Sequence, residues 1–246
     1  MSSKVRVAAL AIATIDGMME NNYARALRMA EISLKHQPDL ILLPECFAAG
    51  FCADELAPYA EGPNSPYQIA FRQFSEKTGC IIVLGYVAKV DGQLRNSIIV
   101  YDRGEIIGRQ DKIRFTPLEI TGEPARDEMR LFVPGQKIEI FHSHVGRFAV
   151  FICFDGTHGD HWAEAVPQVD FILCSWNCDN DPAHHPIQKS RRLGVPTAWA
   201  DRTGLVYSRD DYLPNLGSAG LVDATGHVIA RSAPGVEQIV VGDLTW

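Results

Sequence analysis

The sequence of 246 residues has no apolar run near the roughly 20 residues that a membrane-spanning helix requires. It also has no surplus of positive charge, since 23 Lys and Arg against 30 Asp and Glu give a formal net charge of -7. The cationic residues are scattered along the chain, whereas nucleic-acid and membrane docking need a clustered basic face. Neither a membrane nor a nucleic acid is therefore expected as a partner.

Cysteine is too sparse to indicate a disulfide scaffold, with six in a chain whose 46% hydrophobic content can supply its own core. No internal repeat, low-complexity tract or linker interrupts the sequence, so residues 1–246 are predicted to form one domain. The apolar stretch within residues 1–13 is about one strand long and lacks the longer core and cleavage pattern of a signal peptide. A reduced, cytosolic protein is expected.

Apolar periodicity in the first third of the chain predicts alternating strands and helices. Residues 5–12 suit a strand, and residues 21–36 carry apolar side chains at helical spacing. A strand is predicted over residues 39–45, followed by a helix over Pro66–Thr78 that Gly79 ends.

Turn signals then predict antiparallel hairpins, so the sheet is expected to be mixed. Asp91-Gly92 and Arg103-Gly104 separate strand-like runs. The strands at residues 39–45 and 148–153 are apolar with little alternation, as expected when helices cover one face and a second sheet covers the other. The sequence therefore predicts an α/β fold built as a layered sandwich.

Three chemically active side chains stand where predicted strands end. Cys153 follows the apolar run 149–152, Glu45 closes the run that starts at residue 39, and Lys112 lies just after another strand. A free thiol with a pKa near ~8.5 is mostly protonated at neutral pH, so a cation or a base must supply the thiolate. A thiol, a carboxylate and an ammonium together form a set suited to covalent catalysis.

Three segments resemble, in order and spacing, the signature blocks of the nitrilase superfamily of carbon-nitrogen hydrolases. They are Leu43-Pro44-Glu45, Asp111-Lys112-Ile113-Arg114-Phe115 and Ile152-Cys153-Phe154-Asp155. The resemblance extends over nearly the whole chain and implies a four-layer αββα sandwich of two mixed sheets flanked by helices. It implies Cys153 as nucleophile, Glu45 as general base and Lys112 as stabiliser of the tetrahedral intermediate, with no metal and no organic cofactor.

The same resemblance implies a second glutamate that holds the lysine. Glu128 fits the family pattern Glu-x-x-x-Phe-x-x-Gly and lies in a long predicted loop at residues 116–135. Glu119 and Glu123 in the same loop remain alternatives.

The chain departs from the family pattern in ways that leave the substrate open. Gly156-Thr157-His158-Gly159-Asp160 stands where the family often has an arginine followed by Phe-Pro-Glu, so a residue that could grip a substrate carboxylate is missing. Gln110-Asp111 replaces Tyr-Arg, and Asp201 replaces the asparagine of an Asn-Arg-x-Gly turn.

Four residues are predicted to contact the substrate. The backbone N–H of Phe154 follows the nucleophile and is an oxyanion donor, while Trp176 and Asn177 follow a predicted strand toward the pocket mouth. His158 is placed to touch substrate or to orient Asp155. Burial in the core for Trp176 and a structural hydrogen bond for His158 are the alternatives.

The sequence therefore predicts a thiol hydrolase that cleaves a linear carboxamide or an N-carbamoyl compound and releases ammonia or an amine. Alternatives are a nitrilase using the same residues, a catalytically silent binding protein on the same fold, and a zinc hydrolase, for which the cysteine spacing lacks a second matched pair. The residues that motivate zinc are Cys174, Cys178, His158, His161, His184 and His185. By the same resemblance, a homodimer or higher homo-oligomer is expected.

Overall fold

The computed structural model describes residues 3–50, 56–62, 64–121, 127–208 and 211–246. The elements up to the Lys112 segment are β1 (Lys4–Ile15), α1 (Met19–Ser33), β2 (Leu40–Leu42), α2 (Pro66–Thr78), β3 (Ile81–Val90), β4 (Gln93–Asp102) and β5 (Glu105–Asp111). Those that follow are α3 (Leu118–Thr121), α4 (Glu128–Leu131), β6 (Phe141–Ser143), β7 (Gly146–Ile152), α5 (Gly159–Ala165), β8 (Phe171–Trp176), α6 (His184–Leu193), β9 (Thr197–Ser208), β10 (Asp211–Leu216), β11 (Gly220–Val222), β12 (Val228–Arg231) and β13 (Gln238–Thr245).

Strand β1 joins two halves of the sheet structure. Its first part pairs in parallel with β2 and antiparallel with β13, whereas residues 12–15 pair in parallel with β9. One half continues through β2, β3, β4 and β5, and the other continues from β9 through β8, β7 and β6. Parallel and antiparallel pairs occur in both halves, so the predicted mixed sheets are confirmed.

The two halves stack face to face between helices. Val7 and Ala9 of β1 lie in an apolar layer shared with the other half, while Ala8 and Leu10 point outward into a cluster that α1 and α2 cover. Trp162 of α5 belongs to the third cluster, on the outer face of the second half. Each fully buried Val, Leu or Phe contributes about 1.5–3 kcal/mol. This order of helix, sheet, sheet and helix is the predicted four-layer arrangement, and it explains why the central strands lack polar alternation.

Local signals placed the helix α2 and the hairpins accurately. The Ser65 side chain accepts the N–H of Tyr67, Pro66 opens the helix and Gly79 ends it with φ of 76°. Asp91 and Gly92 both have positive φ, as the two-residue turn between β3 and β4 requires.

Several predicted boundaries differ from the structure. The first helix begins at Met19 and closes with a 3-10 turn over Leu34–His36. The predicted strand at residues 39–45 is reduced to β2, because Pro44 has no N–H with which to continue the ladder. The predicted loop at residues 116–135 contains α3 and α4. In the described ranges, no helix has the length and apolarity to cross a membrane.

Candidate active site

Glu45 lies where the chain leaves β2 and crosses toward the other sheet. Its backbone N–H donates to the carbonyl oxygen of Trp176, at the end of β8, across 3.2 Å. The crossing requires a glycine in β3, because a Cβ at Gly85 would lie 2.2 Å from the carbonyl oxygen of Pro44. Glu45 is therefore held at the edge where strands of both sheets end.

Cys153 occupies the turn directly after β7. Ile152 pairs with Ser175 of the parallel strand β8, so the carboxyl ends of these strands reach the same edge as Glu45. Cys153 has φ of 45°, a left-handed conformation that costs a non-glycine residue about 1–3 kcal/mol. A 3-10 turn over Cys153–Thr157 begins there, and the strained backbone marks a site whose geometry is tightly specified.

Lys112 follows β5 and is buried between two carboxylates. Its Nζ lies 2.9 Å from Glu45 Oε1 and 2.7 and 2.8 Å from the two carboxylate oxygens of Glu128. Asn96 Nδ2 donates to Glu45 Oε1 at 2.6 Å and to Glu128 Oε1 at 3.2 Å. None of these four residues is more than 3% exposed. The lysine that the sequence singles out therefore contacts both predicted glutamates directly.

Among the glutamates that the structure describes in residues 116–135, Glu128 is the one that contacts Lys112. It opens α4, where the Asp127 side chain accepts the N–H of Met129 as an N-cap, and Glu128 Oε2 accepts the N–H of Thr116 at 2.9 Å. Glu119 is exposed to solvent, and the other alternative, Glu123, lies outside the described residues.

Burial and charge act in opposite directions on this cluster. Burial acts to lower the pKa of Lys112, but the carboxylates of Glu128 and Glu45 outweigh it and hold that pKa well above its ordinary value. Burial raises the pKa of Glu45, with Lys112 opposing the rise and Glu128 adding to it. Glu45 Oε2 is buried without a hydrogen-bond partner in the described part of the chain. This oxygen is available to take a proton, while Oε1 anchors the carboxylate.

Asp155 ties the segment after Lys112 to the turn that carries Cys153. Its carboxylate accepts the N–H of Arg114 at 2.7 Å and the N–H of Ile113 at 3.2 Å. Burial raises the pKa of Asp155 to about 7, although the backbone donors and the ammonium of Lys112 oppose the rise.

We expect this titration to appear in protein stability. An acid whose folded pKa of about 7 exceeds its unfolded value of about 3.9 adds stability that is complete below the unfolded pKa and is lost as pH rises through 7. Asp155→Asn keeps a carbonyl acceptor and cannot ionise. The unfolding free energy of the native protein should therefore fall relative to that of Asp155→Asn between pH 5 and 8, by at most about 1.4 kcal/mol per pH unit. Urea unfolding across this range measures the difference, and parallel curves would contradict the assignment.

The segment that departs from the family pattern packs against the same Lys112 loop. The guanidinium of Arg114 contacts the carboxylate of Asp160, and Arg114 Nε donates to His161 Nε2 at 3.2 Å. Asp160, at the end of the replaced segment, therefore contacts the chain two residues beyond Lys112.

A cavity of about 350 Å³ opens beside Cys153, and Phe154, Trp176, Asn177 and Cys178 are among its other lining residues. The indole Nε1 of Trp176 and the Nδ2 of Asn177 are buried, and neither has a hydrogen-bond partner among the residues that the structure describes. Both residues line the cavity, and donors without partners on such residues are candidates to bind the oxygen atoms of a ligand.

His158 lies behind this wall. Its Nδ1 is 2.9 Å from the carbonyl oxygen of Phe154, and the two rings pack edge to face with centroids 4.7 Å apart. His158 is absent from the described lining of the cavity, so its contact with substrate stays a prediction.

Sequence reasoning missed two members of the site. Asn96 bridges both carboxylates, and an asparagine within the buried part of β4 is itself a signal, because this residue type is disfavoured in strands without a polar partner. Cys178 places its sulfur 3.5 Å from that of Cys153. No sequence pattern pairs these two cysteines, since they leave the ends of different strands.

The described cysteines, which are Cys46, Cys80, Cys153, Cys174 and Cys178, are free thiols. Over the described ranges, no three His, Cys, Asp or Glu side chains come together in a way that could hold a metal ion. The zinc alternative therefore has no ligand set in this part of the molecule.

The chain belongs to the carbon-nitrogen hydrolase family, whose profile matches residues 6–246. The omega-amidase NIT3 of Saccharomyces cerevisiae is 28% identical over 261 residues, covering 99% of this chain and 88% of the relative. The predicted family resemblance is confirmed.

Solved structures agree with this fold. The crystal structure of Saccharomyces cerevisiae Nit3, a member of branch 10 of the nitrilase superfamily, has a TM-score of 0.79 at 18% identity, covering 99% of this chain and 90% of that one. A mutant of the amidase from Nesterenkonia sp. AN1 has a TM-score of 0.82 at 16% identity, covering 98% and 90%. In that amidase the acetamide moiety of fluoroacetamide is added covalently to the active-site cysteine.

Proposed function

We propose that this protein hydrolyses a linear carboxamide or an N-carbamoyl compound through a thioester on Cys153, releasing ammonia or an amine. The observation that carries the proposal is the buried contact of Lys112 with Glu45 and Glu128, next to the cavity that the Cys153 thiol lines. The omega-amidase among the relatives and the acylated cysteine of the Nesterenkonia amidase support amide cleavage by this set.

The charges of the buried side chains indicate which of them exchanges a proton. The ammonium of Lys112 and the carboxylate of Glu128 cancel, which leaves one negative charge to be shared by Glu45 and Cys153. Transfer of the thiol proton to Glu45 Oε2 turns a carboxylate and a thiol into a carboxyl group and a thiolate without changing the net charge of the buried site. Lys112 interacts electrostatically with Cys153 and so stabilises the thiolate that results.

The thiolate then attacks the amide carbon, a C–S bond forms, and the carbonyl oxygen becomes an oxyanion. The ammonium of Lys112 and the backbone N–H of Phe154 are the proposed donors to this oxygen. When the tetrahedral intermediate collapses, the C–N bond breaks and Glu45 returns its proton to the leaving nitrogen. Ammonia or an amine departs, and the acyl group remains on sulfur.

Hydrolysis of the thioester uses the same carboxylate. Glu45 takes a proton from water, the resulting hydroxide adds to the acyl carbon, and the Cys153 thiolate leaves. Glu45 returns its proton to the thiolate, and the carboxylic acid product is released. Because burial raises the pKa of Glu45 toward the operating range, this group can both accept and return a proton.

The cavity wall indicates how the acyl part is held. Trp176 Nε1 and Asn177 Nδ2 are proposed to donate to oxygen atoms of the substrate, because each is otherwise a buried donor without a partner in the described residues. Asn177 is oriented from behind, where its Oδ1 accepts a hydrogen bond from Arg202 Nη1 at 3.4 Å. A cavity of about 350 Å³ suits a small acyl group.

We expect Glu128→Gln to lower kcat by a factor on the order of 100 and to change KM much less. Glutamine removes the charge that cancels the ammonium of Lys112, so Lys112 pairs with Glu45 alone and the base is weakened. Steady-state kinetics of Glu128→Gln against Glu119→Gln, an exposed glutamate of the same loop, measures the effect. Equal kinetics in the two variants would remove Glu128 from the proposed set.

Product analysis with matched pairs of amides and nitriles tests the function. The purified protein should convert short linear carboxamides to the acid and an equimolar amount of ammonia or amine, or N-carbamoyl compounds to the amine, carbon dioxide and ammonia. Acid from a nitrile, with none from the matching amide, would replace the proposal with a nitrilase. Absence of turnover, together with iodoacetamide labelling of Cys153 no faster than of the other cysteines, would favour a silent binding protein.

A further inference from the structure

The Sγ atoms of Cys153 and Cys178 lie 3.5 Å apart, and both residues line the cavity. A disulfide has an S–S length of about 2.05 Å, so the two sulfurs need to approach by roughly 1.5 Å to bond. Both are free thiols in this structure. The proposed hydrolytic steps use Cys153 and leave the neighbouring thiol without a role.

The neighbouring segments hold the two thiols in this arrangement. Cys153 begins the turn after β7, and Cys178 follows β8, the parallel neighbour of β7. The N–H of Cys178 donates to Asp201 Oδ1 at 3.1 Å, which anchors the backbone of the second cysteine. The sulfur contact is therefore set by paired strands and a backbone hydrogen bond.

We propose that Cys153 and Cys178 form an oxidative modification site, at which a hydroperoxide converts the pair to an intrachain disulfide. The choice of Cys153 as the thiol that attacks the peroxide rests on the proposed function. The disulfide occupies the nucleophile and stops hydrolysis. Reduction restores it.

The reaction balances in two steps. The Cys153 thiolate attacks one oxygen of the hydroperoxide, an S–O bond forms, the O–O bond breaks, and the leaving oxygen takes a proton as water or alcohol. Cys153 is oxidised by two electrons to the sulfenic acid, and the peroxide is reduced. The sulfur of Cys178 then attacks the sulfenic sulfur, the S–S bond forms, the S–O bond breaks, and hydroxide leaves with the Cys178 proton as water.

Local chemistry distinguishes the two thiols. The hydrogen bond to Cys153, followed by burial, raises the pKa of Cys178 well above its ordinary value, which makes Cys178 the poorer nucleophile toward a peroxide. This order makes Cys153 the site of first oxidation and Cys178 the resolving thiol. A resolving thiol in contact also limits further oxidation of the sulfenic acid to the irreversible sulfinic acid.

The remaining described cysteines are engaged elsewhere. Cys46 Sγ donates to Asn96 Oδ1 at 3.3 Å, Cys80 Sγ donates to the carbonyl oxygen of Pro38 at 3.0 Å, and Cys174 is fully buried in β8. Cys178, by contrast, is partly exposed in the cavity that admits small molecules.

The test treats the full chain with hydrogen peroxide and maps its peptides without reduction by mass spectrometry. The expected product is a Cys153 peptide linked to a Cys178 peptide, lighter than the two together by two hydrogens. Amide hydrolysis should be lost in proportion to the linked fraction and should return with dithiothreitol. A Cys153 that stays reduced, or that links to a different cysteine, would overturn the inference.

Variants separate the roles of the two sulfurs. In Cys178→Ser no linked peptide is expected, Cys153 should proceed to the sulfinic acid, and the loss of activity should resist dithiothreitol. Cys80→Ser, which changes a cysteine outside the cavity, should form the link as the native protein does. Recovery of Cys178→Ser as complete as that of the native protein would count against the pair.

The same experiment keeps this inference distinct from the proposed function, because mass spectrometry detects the bond whether or not an amide is cleaved. A linked peptide in a protein that hydrolyses no amide supports the modification site and contradicts the function. Amide hydrolysis by a protein that forms no link supports the function and contradicts the modification site.

Discussion

Cys153→Ala should reduce kcat for the amide substrate by a factor on the order of 10⁴ or more, because no acyl-enzyme can form without the sulfur. Cys153→Ser should bind substrate with almost no turnover, since an unactivated hydroxyl is the poorer nucleophile. Ammonia release under single-turnover and steady-state conditions measures the rates, and isothermal titration measures substrate binding to the serine variant.

The control for this prediction is Cys80→Ser, which alters a thiol whose sulfur donates to a backbone carbonyl outside the site. It should retain native turnover. Full activity in either Cys153 variant would refute nucleophilic catalysis by this residue, and near-stoichiometric labelling of Cys153 by iodoacetamide at neutral pH, ahead of the other cysteines, would support it.

Glu45→Gln should lower steady-state turnover by about 10²–10⁴-fold and should accumulate the thioester on Cys153. Glutamine can keep a carbonyl oxygen where Oε1 accepts from Asn96 and Lys112, so the cluster keeps its shape. At the position of Oε2, however, the amide nitrogen cannot take a proton from water, and the acyl group stays on sulfur. Intact-protein mass spectrometry over a panel of amides detects the adduct and identifies the acyl group by its mass.

Glu61→Gln is the matched control for that experiment. Glu61 is also a buried glutamate, but its partners are Tyr23, Ser65 and Gln68, away from the cavity. Its substitution should leave the rate of thioester hydrolysis unchanged. Ordinary turnover by Glu45→Gln would contradict the assignment of Glu45 as the base, whereas an equal loss in both variants would point to general damage of the fold.

Local chemistry made much of the fold predictable. A proline at the first position and a glycine past the last fixed α2 from the sequence, and pairs of residues suited to positive φ located the turns. The strand ending at Glu45 was predicted too long, because its apolar run continues past the point where Pro44 ends the ladder. A run of apolar residues reports which side chains are buried, and here the buried residues continue beyond the hydrogen-bonded strand.

The contacts of the site were only partly predictable. Family spacing identified Glu45, Lys112, Cys153 and Glu128, and the structure places both glutamates against the lysine. The bridge from Asn96 to Glu45 spans 51 residues and exists because β4 lies two strands away from β2 in the same sheet, an arrangement that no local pattern encodes. The homo-oligomeric state and the cytosolic location stay predictions.

The side chains of the site come from two separate parts of the polypeptide, because the chain crosses toward the other sheet after β2. Glu45 and Lys112 come from the segment before Cys153, and the sulfur arrives from the opposite sheet, so neither fragment of a chain cut between Lys112 and Cys153 contains all three side chains. Two such fragments regain chemistry only by reassociating. On the proposed function, the protein is suited to a complementation reporter, in which product formation signals that two separately expressed pieces have met.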